Sequence, residues 1–201
     1  MINRLSEEQG RVLVETARKT IMKELHLPVV PEEEGADKLN PPDPALQEKL
    51  GVFVTLHYEG QLRGCIGSLV GRKPIIEGVR ENAINAAFND FRFRQVTPRE
   101  LAKIDIEVSV LSEPKPLSYK GVDDLVARLR PGVDGVIIRK GGMSATFLPQ
   151  VWDQLPDVAA FLSHLCQKAG LPAEEWRRGE LEVSIYQVQC FSELELQSDR
   201  A

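Results

Sequence analysis

Gly51-Val52-Phe53-Val54-Thr55-Leu56-His57-Tyr58 is followed by Glu59-Gly60-Gln61 and then by Leu62-Arg63-Gly64-Cys65-Ile66-Gly67-Ser68-Leu69. In the first run Val52, Val54 and Leu56 alternate with Phe53, Thr55 and His57, the period-two pattern of a strand with one buried face. The second run is again extended in character, and the glycine between the two marks a tight turn. Together they predict an antiparallel β-hairpin. A two-residue Glu59-Gly60 turn sets Val54 opposite Cys65 and puts the thiol on the apolar side with Val52 and Leu56, away from His57. A three-residue turn sets Thr55 opposite Cys65 and brings the thiol to the side of Phe53 and His57, the only register that allows a local Cys-His pair. Because Glu-Gly resembles the favoured Asp-Gly turn, the first register is the expectation.

Before the hairpin, Ser6 and Gln9 form a capping-box pattern ahead of Val12, Leu13, Thr16, Ala17, Thr20, Ile21 and Leu25, which predicts an amphipathic helix. Residues 28–44 hold five prolines and the run Glu32-Glu33-Glu34, the composition of an irregular surface loop. After the hairpin, Pro74 is expected at the first position of a helix that reaches about Phe88. Thr97-Pro98-Arg99-Glu100 is a second capping box, and Ile104, Ile106, Val108 and Val110 then alternate with Asp105, Glu107 and Ser109 as a strand.

The same order returns in the second half. A helix through Val122, Leu125, Val126 and Leu129 stops at Pro131. Gly135–Arg139 and Met143–Leu148 flank Lys140-Gly141-Gly142 as a hairpin, Val158–Ala169 carries a helical apolar stripe ending at Gly170, and Leu181–Phe191 is a closing strand. Asp105–Val110 resembles Glu180–Ile185, and Gly51-Val52 corresponds to Gly135-Val136. These matches predict two copies of a hairpin-helix-strand unit, residues 51–111 and 135–191, within a single domain spanning 1–201.

With 42% hydrophobic and 27% charged residues, the 201-residue chain falls outside the disordered and collagenous classes. No apolar run approaches the ~18 residues of a spanning helix, and the polar start does not read as a signal peptide, so the expectation is a cytoplasmic protein with no membrane contact. Cys65, Cys166 and Cys190 are odd in number and unpaired in spacing, which argues against a disulfide framework, a zinc ribbon or another metal site. The Gly132–Gly142 stretch has neither the Lys-Ser/Thr of a phosphate loop nor the setting of a dinucleotide fingerprint, and the cofactor is left unknown. Net charge is -5, yet residues 61–103 carry eight cations against four carboxylates, leaving -9 on the remainder. Such a distribution suits one localised anion site and gives no broad basic face for a nucleic-acid backbone.

Arg63-Gly64-Cys65-Ile66-Gly67-Ser68 carries the candidate chemistry. Two glycines around a cysteine weaken a strand unless something approaches the backbone closely or the strand bulges. In a flat strand Arg63 and Cys65 share a face, and a neighbouring guanidinium favours a thiolate. The plain alternative is a small buried hydrophobe. Asn85, Asn89, Asp90, Arg92 and Arg94 interleave with Phe88, Phe91 and Phe93, which suggests bases stacked over phosphate-binding arginines, but phenylalanines at a helix end are more often core plugs.

Leu62-Arg63-Gly64-Cys65-Ile66-Gly67, Asn82-Ala83 to Phe93, Ile106–Leu111, Phe147-Leu148-Pro149-Gln150-Val151-Trp152 and Phe161-Leu162 to Leu171 resemble the AMMECR family, also labelled protein A of the AmmeMemoRadiSam system. The resemblance spans roughly Gly51 to Glu195. It implies an α+β fold of two unequal subdomains with mainly antiparallel sheets around a cleft, and possible Memo-like and radical-SAM partner proteins. The family's activity is undetermined. Its loop pattern Asp-Pro-Arg-Phe stands here as Asp90-Phe91-Arg92-Phe93, so a fixed backbone torsion before Arg92 is lost. The resulting expectation is a small anionic ligand or a partner segment bound at the cleft edge by Arg63, Gly64, Gly67, Ser68 and Arg92, with Cys65 lining the site. A cysteine-dependent enzyme using Cys65 is the alternative, and a nucleic-acid-binding regulatory factor comes third.

Overall fold

The computed structural model describes residues 4–29 and 43–194. In chain order the elements are α1 (Glu7–Glu24), a 3₁₀ turn (Pro44–Gln47), β1 (Gly51–Tyr58), β2 (Gln61–Ser68), α2 (Ile75–Ile84) running into a π turn (Asn85–Asn89), α3 (Pro98–Leu101) and β3 (Ile104–Leu111). Then come β4 (Lys115–Pro116), α4 (Val122–Arg128), β5 (Gly135–Lys140), β6 (Met143–Phe147), a 3₁₀ turn (Pro149–Asp153), α5 (Val158–Lys168), a 3₁₀ turn (Glu175–Arg178), β7 (Glu182–Tyr186) and β8 (Val188–Ser192). The fold is α+β with mainly antiparallel sheets. Its described residues divide into two compact units, 4–29 and 43–111 with 189–194, and 112–188. Most of the proline-rich 28–44 segment lies outside the described residues.

In the first unit the sheet order is β2-β1-β3-β8, which leaves β2 at an edge. Val52, Val54 and Leu56 of β1 and Ile104, Ile106 and Val108 of β3 are buried with Leu13, Val14, Ala17 and Ile21 of α1 and Ile75, Val79 and Ala83 of α2, because alternation sends these strand residues to the face the helices cover. Both predicted capping boxes are present, Ser6 with Gln9 and Thr97 with Glu100, each satisfying amide groups that a helix start leaves open. Pro74 caps α2 instead of occupying its first turn, one position earlier than expected.

In the second unit the order is β4-β7-β5-β6. Here the first strand of the hairpin, β5, again lies between its partner β6 and the strand that follows the helix, β7, as β1 lies between β2 and β3. The pairings Gly51↔Leu111 and Gly135↔Tyr186 occupy equivalent ends of the two central ladders. The core gathers Leu125, Ile138, Trp152, Phe161, Leu165 and Cys166, with the Trp152 and Phe161 rings stacked at 3.6 Å.

The β1–β2 register corrects one expectation. The turn is the two-residue Glu59-Gly60 connection, with φ of 50° and 78° and Tyr58 paired to Gln61. Yet Thr55, not Val54, faces Cys65, because the register shifts between Leu56 and His57: His57 pairs with Leu62 and Leu56 with Gly64, so Arg63 is the extra residue of a β-bulge. Without the bulge Arg63 would lie opposite Leu56 on the helix-covered face. With it, Gly64 takes that place, Ile66 turns toward the core, and Cys65 moves to the opposite face with Thr55. Only glycine fits at position 64, where a Cβ would stand 2.2 Å from the Ala86 carbonyl oxygen.

Candidate functional site

The π turn after α2 delivers Asp90 to the open edge of β2. Its side chain is 1% exposed. Asp90 accepts from the Cys65 amide at 3.0 Å, from the Arg92 amide at 3.2 Å, and from Arg92 Nε and Nη2 at 2.9 and 2.6 Å. Arg92 Nη2 also donates to the Cys65 carbonyl at 3.2 Å. The outward-facing amide and carbonyl of Cys65 are therefore both met by one ion pair, a buried carboxylate with a guanidinium that reaches solvent, which also blunts the sheet edge at that point. The hydrogen bonds from Arg92 hold the Asp90 carboxyl well below the usual carboxylate range, outweighing burial, which acts the other way.

Arg63 leaves the bulge in a different direction. Its Nε donates to Glu100 Oε1 at 3.1 Å and its side chain is 13% exposed, while Nη1 is buried with no hydrogen-bond partner among the described residues. Burial raises the Glu100 carboxyl, and hydrogen bonds from Arg63 and Thr97 more than reverse this, so it titrates below its ordinary value. Phe93 lies near both guanidiniums, its ring centre 5.9 Å from Arg63 Cζ and 5.4 Å from Arg92 Cζ, within cation–π range.

The expected site residues are thus partly gathered. Arg63, Cys65 and Arg92 meet around the β2 edge and Phe93. The space that the two glycines leave is filled by the chain itself: Gly64 by the Ala86 carbonyl, and Gly67 by the Phe53 ring, 2.3 Å from where a Cβ would be. Ser68 stands apart, its hydroxyl closing a turn on Val70, beside a hollow of about 350 Å³ lined also by Arg72, Lys73 and Asn82. Asp90 and Glu100, the two carboxylates that orient the arginines, were not singled out from the sequence as site residues. The Asp-x-Arg spacing at Asp90 and the capping-box role of Glu100 were the available signals.

On the face away from the helices, Cys65, Thr55 and Glu107 form one cross-strand row, and the Thr55 hydroxyl donates to Cys65 Sγ at 3.4 Å. Cys65 is half-buried. His57 shares that face, and a hollow of about 560 Å³ beside it is lined also by Asp105, Glu59 and Lys103. Of the three phenylalanines interleaved with the arginines, Phe88 packs against the core as expected of a plug. Phe91 does not: it is 94% exposed.

Much of the cationic segment is neutralised locally, through Arg63–Glu100, Lys73–Glu81, Arg92–Asp90 and Lys103–Glu59. Arg72, Arg94 and Arg99 are exposed and meet no carboxylate among the described residues. Among those residues no group of three His, Cys, Asp or Glu side chains is placed to hold a metal ion, and no helix is long and apolar enough to cross a membrane.

The sequence model of the AMMECR1 family matches residues 14–191. This chain belongs to the AMMECR1 family. Among AMMECR1-type relatives, a protein of Methanothermobacter thermautotrophicus is 41% identical over 94% of this chain and 96% of its own length. A protein of Methanopyrus kandleri is 40% identical over 97% of this chain and 93% of its own. The crystal structure of an uncharacterised protein from Pyrococcus horikoshii superposes with a TM-score of 0.77 at 33% identity, covering 94% of this chain and 93% of that one. The AMMECR1 signature expected from the sequence, Arg63 to Gly67, is the bulged segment of β2 that Asp90 and Arg92 clamp.

Proposed function

We propose that this AMMECR1-family protein binds a small oxyanion, a carboxylate or a phosphate, at the β2 edge where Arg63 and Arg92 stand about Phe93. The observation that carries the reading is the buried Arg63 Nη1 with no acceptor. An unmade hydrogen bond on a buried donor costs about 1–3 kcal/mol, and more on a charged group, so an anionic oxygen placed there recovers free energy. Arg92, 44% exposed despite its bond to Asp90, offers a second charged donor, and Arg94 and Arg99 add unbalanced positive charge nearby in sequence. Bidentate contact with carboxylate or phosphate is the recognition mode guanidinium suits best. Association with Memo-like and radical-SAM proteins belongs to the same proposal, supported by family membership alone, and is tested by co-purification with each.

Calorimetry at low ionic strength with inorganic phosphate, then with a panel of carboxylates and nucleotides, tests the ligand reading. Arg63→Ala is expected to abolish the heat of the bound anion. An unchanged titration in that variant removes the proposal.

A second reading, Cys65 as a nucleophile, draws support from the bulged register, which takes the thiol out of the apolar side and gives it the Thr55 hydroxyl as a donor. Its measure is alkylation by iodoacetamide followed by mass spectrometry. A nucleophile reacts faster at Cys65 than at the more exposed Cys190; the reverse order ends this reading.

A further inference from the structure

Glycine is the costliest residue in a helix interior after proline, so one that stays there needs a reason. Gly78, the fourth residue of α2, finds none in the packing of its own chain: a Cβ built there would meet only Val52, at 3.7 and 3.8 Å, an ordinary contact. Gly64 and Gly67 differ, their space being taken by the chain, and so does Gly71, where a Cβ would stand 2.3 Å from the Leu50 amide nitrogen. What Gly78 does line is the hollow of about 350 Å³ at the end of β2. Two small residues open it. After the bulge the helix side of β2 runs Gly64, Ile66, Ser68, so a short polar side chain ends the strand across the hollow from a helix position without a side chain.

The lining defines the ligand. Leu50, Val52 and Val70 supply apolar surface. Arg72, which is exposed, meets no carboxylate among the described residues, whereas Lys73 is held by Glu81 at 2.8 Å. Asn82 Nδ2 donates to the Val52 carbonyl at 3.0 Å, and Asn82 Oδ1 accepts no hydrogen bond among the described residues. A concave, partly apolar lining with one free charge and one open polar group, at the small end of the volume range of ligand sites, is the make-up of a small-molecule pocket. We propose that this hollow binds a small organic anion with an apolar body. Its carboxylate or phosphate sits on Arg72, its body lies against Val52 and the bare helix backbone at Gly78, and a donor on it reaches Asn82 Oδ1. The hollow shares no residue with the Arg63–Arg92 edge, so the inference is independent of the oxyanion reading.

Calorimetry of the full chain tests it with benzoate and 4-methylpentanoate as carboxylates, adenosine and uridine monophosphates as phosphates, and the matching amides and nucleosides as uncharged counterparts. At least one organic anion is expected to bind, with its uncharged counterpart about tenfold or more weaker; the arm that binds identifies the head group. Arg72→Ala lowers the affinity by a similar factor, as for loss of a charge-assisted hydrogen bond, and Gly78→Leu, which fills the hollow, abolishes binding. Arg72 is exposed, so its variant keeps the fold. Gly78→Ala is expected to raise the unfolding midpoint by about 1–4 °C, because no neighbour demands the glycine. Absence of binding by every organic anion overturns the proposal, as does an affinity that Arg72→Ala does not move or a Gly78→Ala midpoint that falls. Binding lost in Arg63→Ala and kept in Arg72→Ala assigns the anion to the β2 edge and overturns it too. Inorganic phosphate, which has no apolar body, reports on that edge alone, so failure of either proposal leaves the other measurable.

Discussion

Replacing Gly64 by alanine separates a packing role for the signature glycine from a ligand-access role. The new methyl carbon would stand 2.2 Å from the Ala86 carbonyl oxygen, with the Ala86 carbonyl carbon at 3.2 Å and Leu56 Cδ1 at 3.7 Å. An ordinary contact requires that oxygen to retreat by about 1 Å, and close-packed interiors resist such shifts. Neither side yields easily: β2 is paired to β1 through the bulge, and the neighbouring Ala87 carbonyl accepts the Val96 amide at 2.9 Å. Overpacking of this kind costs about 1–3 kcal/mol and occasionally more. The alanine recovers ~0.4–1 kcal/mol by stiffening the unfolded chain. A net loss of about 1–2 kcal/mol corresponds to a fall of roughly 2–8 °C in midpoint for a chain of this size. Both tryptophans, Trp152 and Trp176, lie in the second unit, so their fluorescence does not report on this site. Calorimetry of the whole chain, with hydrogen exchange at the Cys65 and Val96 amides, is the suitable assay. Gly142→Ala, whose methyl meets open space, serves as the control. A Gly64→Ala protein as stable as wild type, with unaltered protection at Cys65, would refute the assignment of this glycine to packing.

The other expectations concern charge and the thiol face. Asp90→Asn removes the buried partner of Arg92 and is expected to destabilise by about 1–3 kcal/mol, below the usual cost for a fully buried pair because Arg92 reaches solvent. Since the folded Asp90 carboxyl titrates below its unfolded value near pH 4, its stabilisation is complete above that pH and fades as pH falls through the folded value. The stability difference between wild type and Asp90→Asn, followed by calorimetry, should hold steady near neutrality and shrink in acid; a difference that grows in acid contradicts the sign. Tyr186, whose phenol is pushed up to about 12 by burial, should supply the last phenolate to appear in an alkaline ultraviolet titration, and Tyr186→Phe should delete that step alone. Thr55→Val removes the only hydroxyl donating to the Cys65 sulfur among the described residues and is expected to slow alkylation at Cys65 severalfold while leaving Cys190 unchanged.

Much of the element order and core membership was legible because it depends on local patterns, but the expected closing strand Leu181–Phe191 breaks into β7 and β8, which lie in different sheets because β8 leaves β7 to complete the first unit's sheet. Capping boxes at Ser6 and Thr97 act within one helical turn, alternation at Ile104–Leu111 sorts one strand into two faces, and the glycine turns at Gly60 and Gly141 need no distant partner. The candidate site was legible in composition and misread in direction. Arg63 at an apolar position and Ile66 at a polar one signal a slip of one residue in hydrophobic phase, and a bulge is the local way to repair it.

What the residues determined alone, then, are the helices, the hairpins and which positions turn inward, since periodicity and turn chemistry operate over a few neighbours. What only the tertiary structure decided is the face on which Cys65 lies, the burial of Asp90 and the isolation of Arg63 Nη1. Each of these depends on which backbone approaches β2 from outside it: the Ala86 carbonyl demands Gly64, the π turn brings Asp90 to the open edge, and α3 supplies Glu100. Contacts between segments 20 to 40 residues apart in the chain leave no periodic trace in the residues that make them.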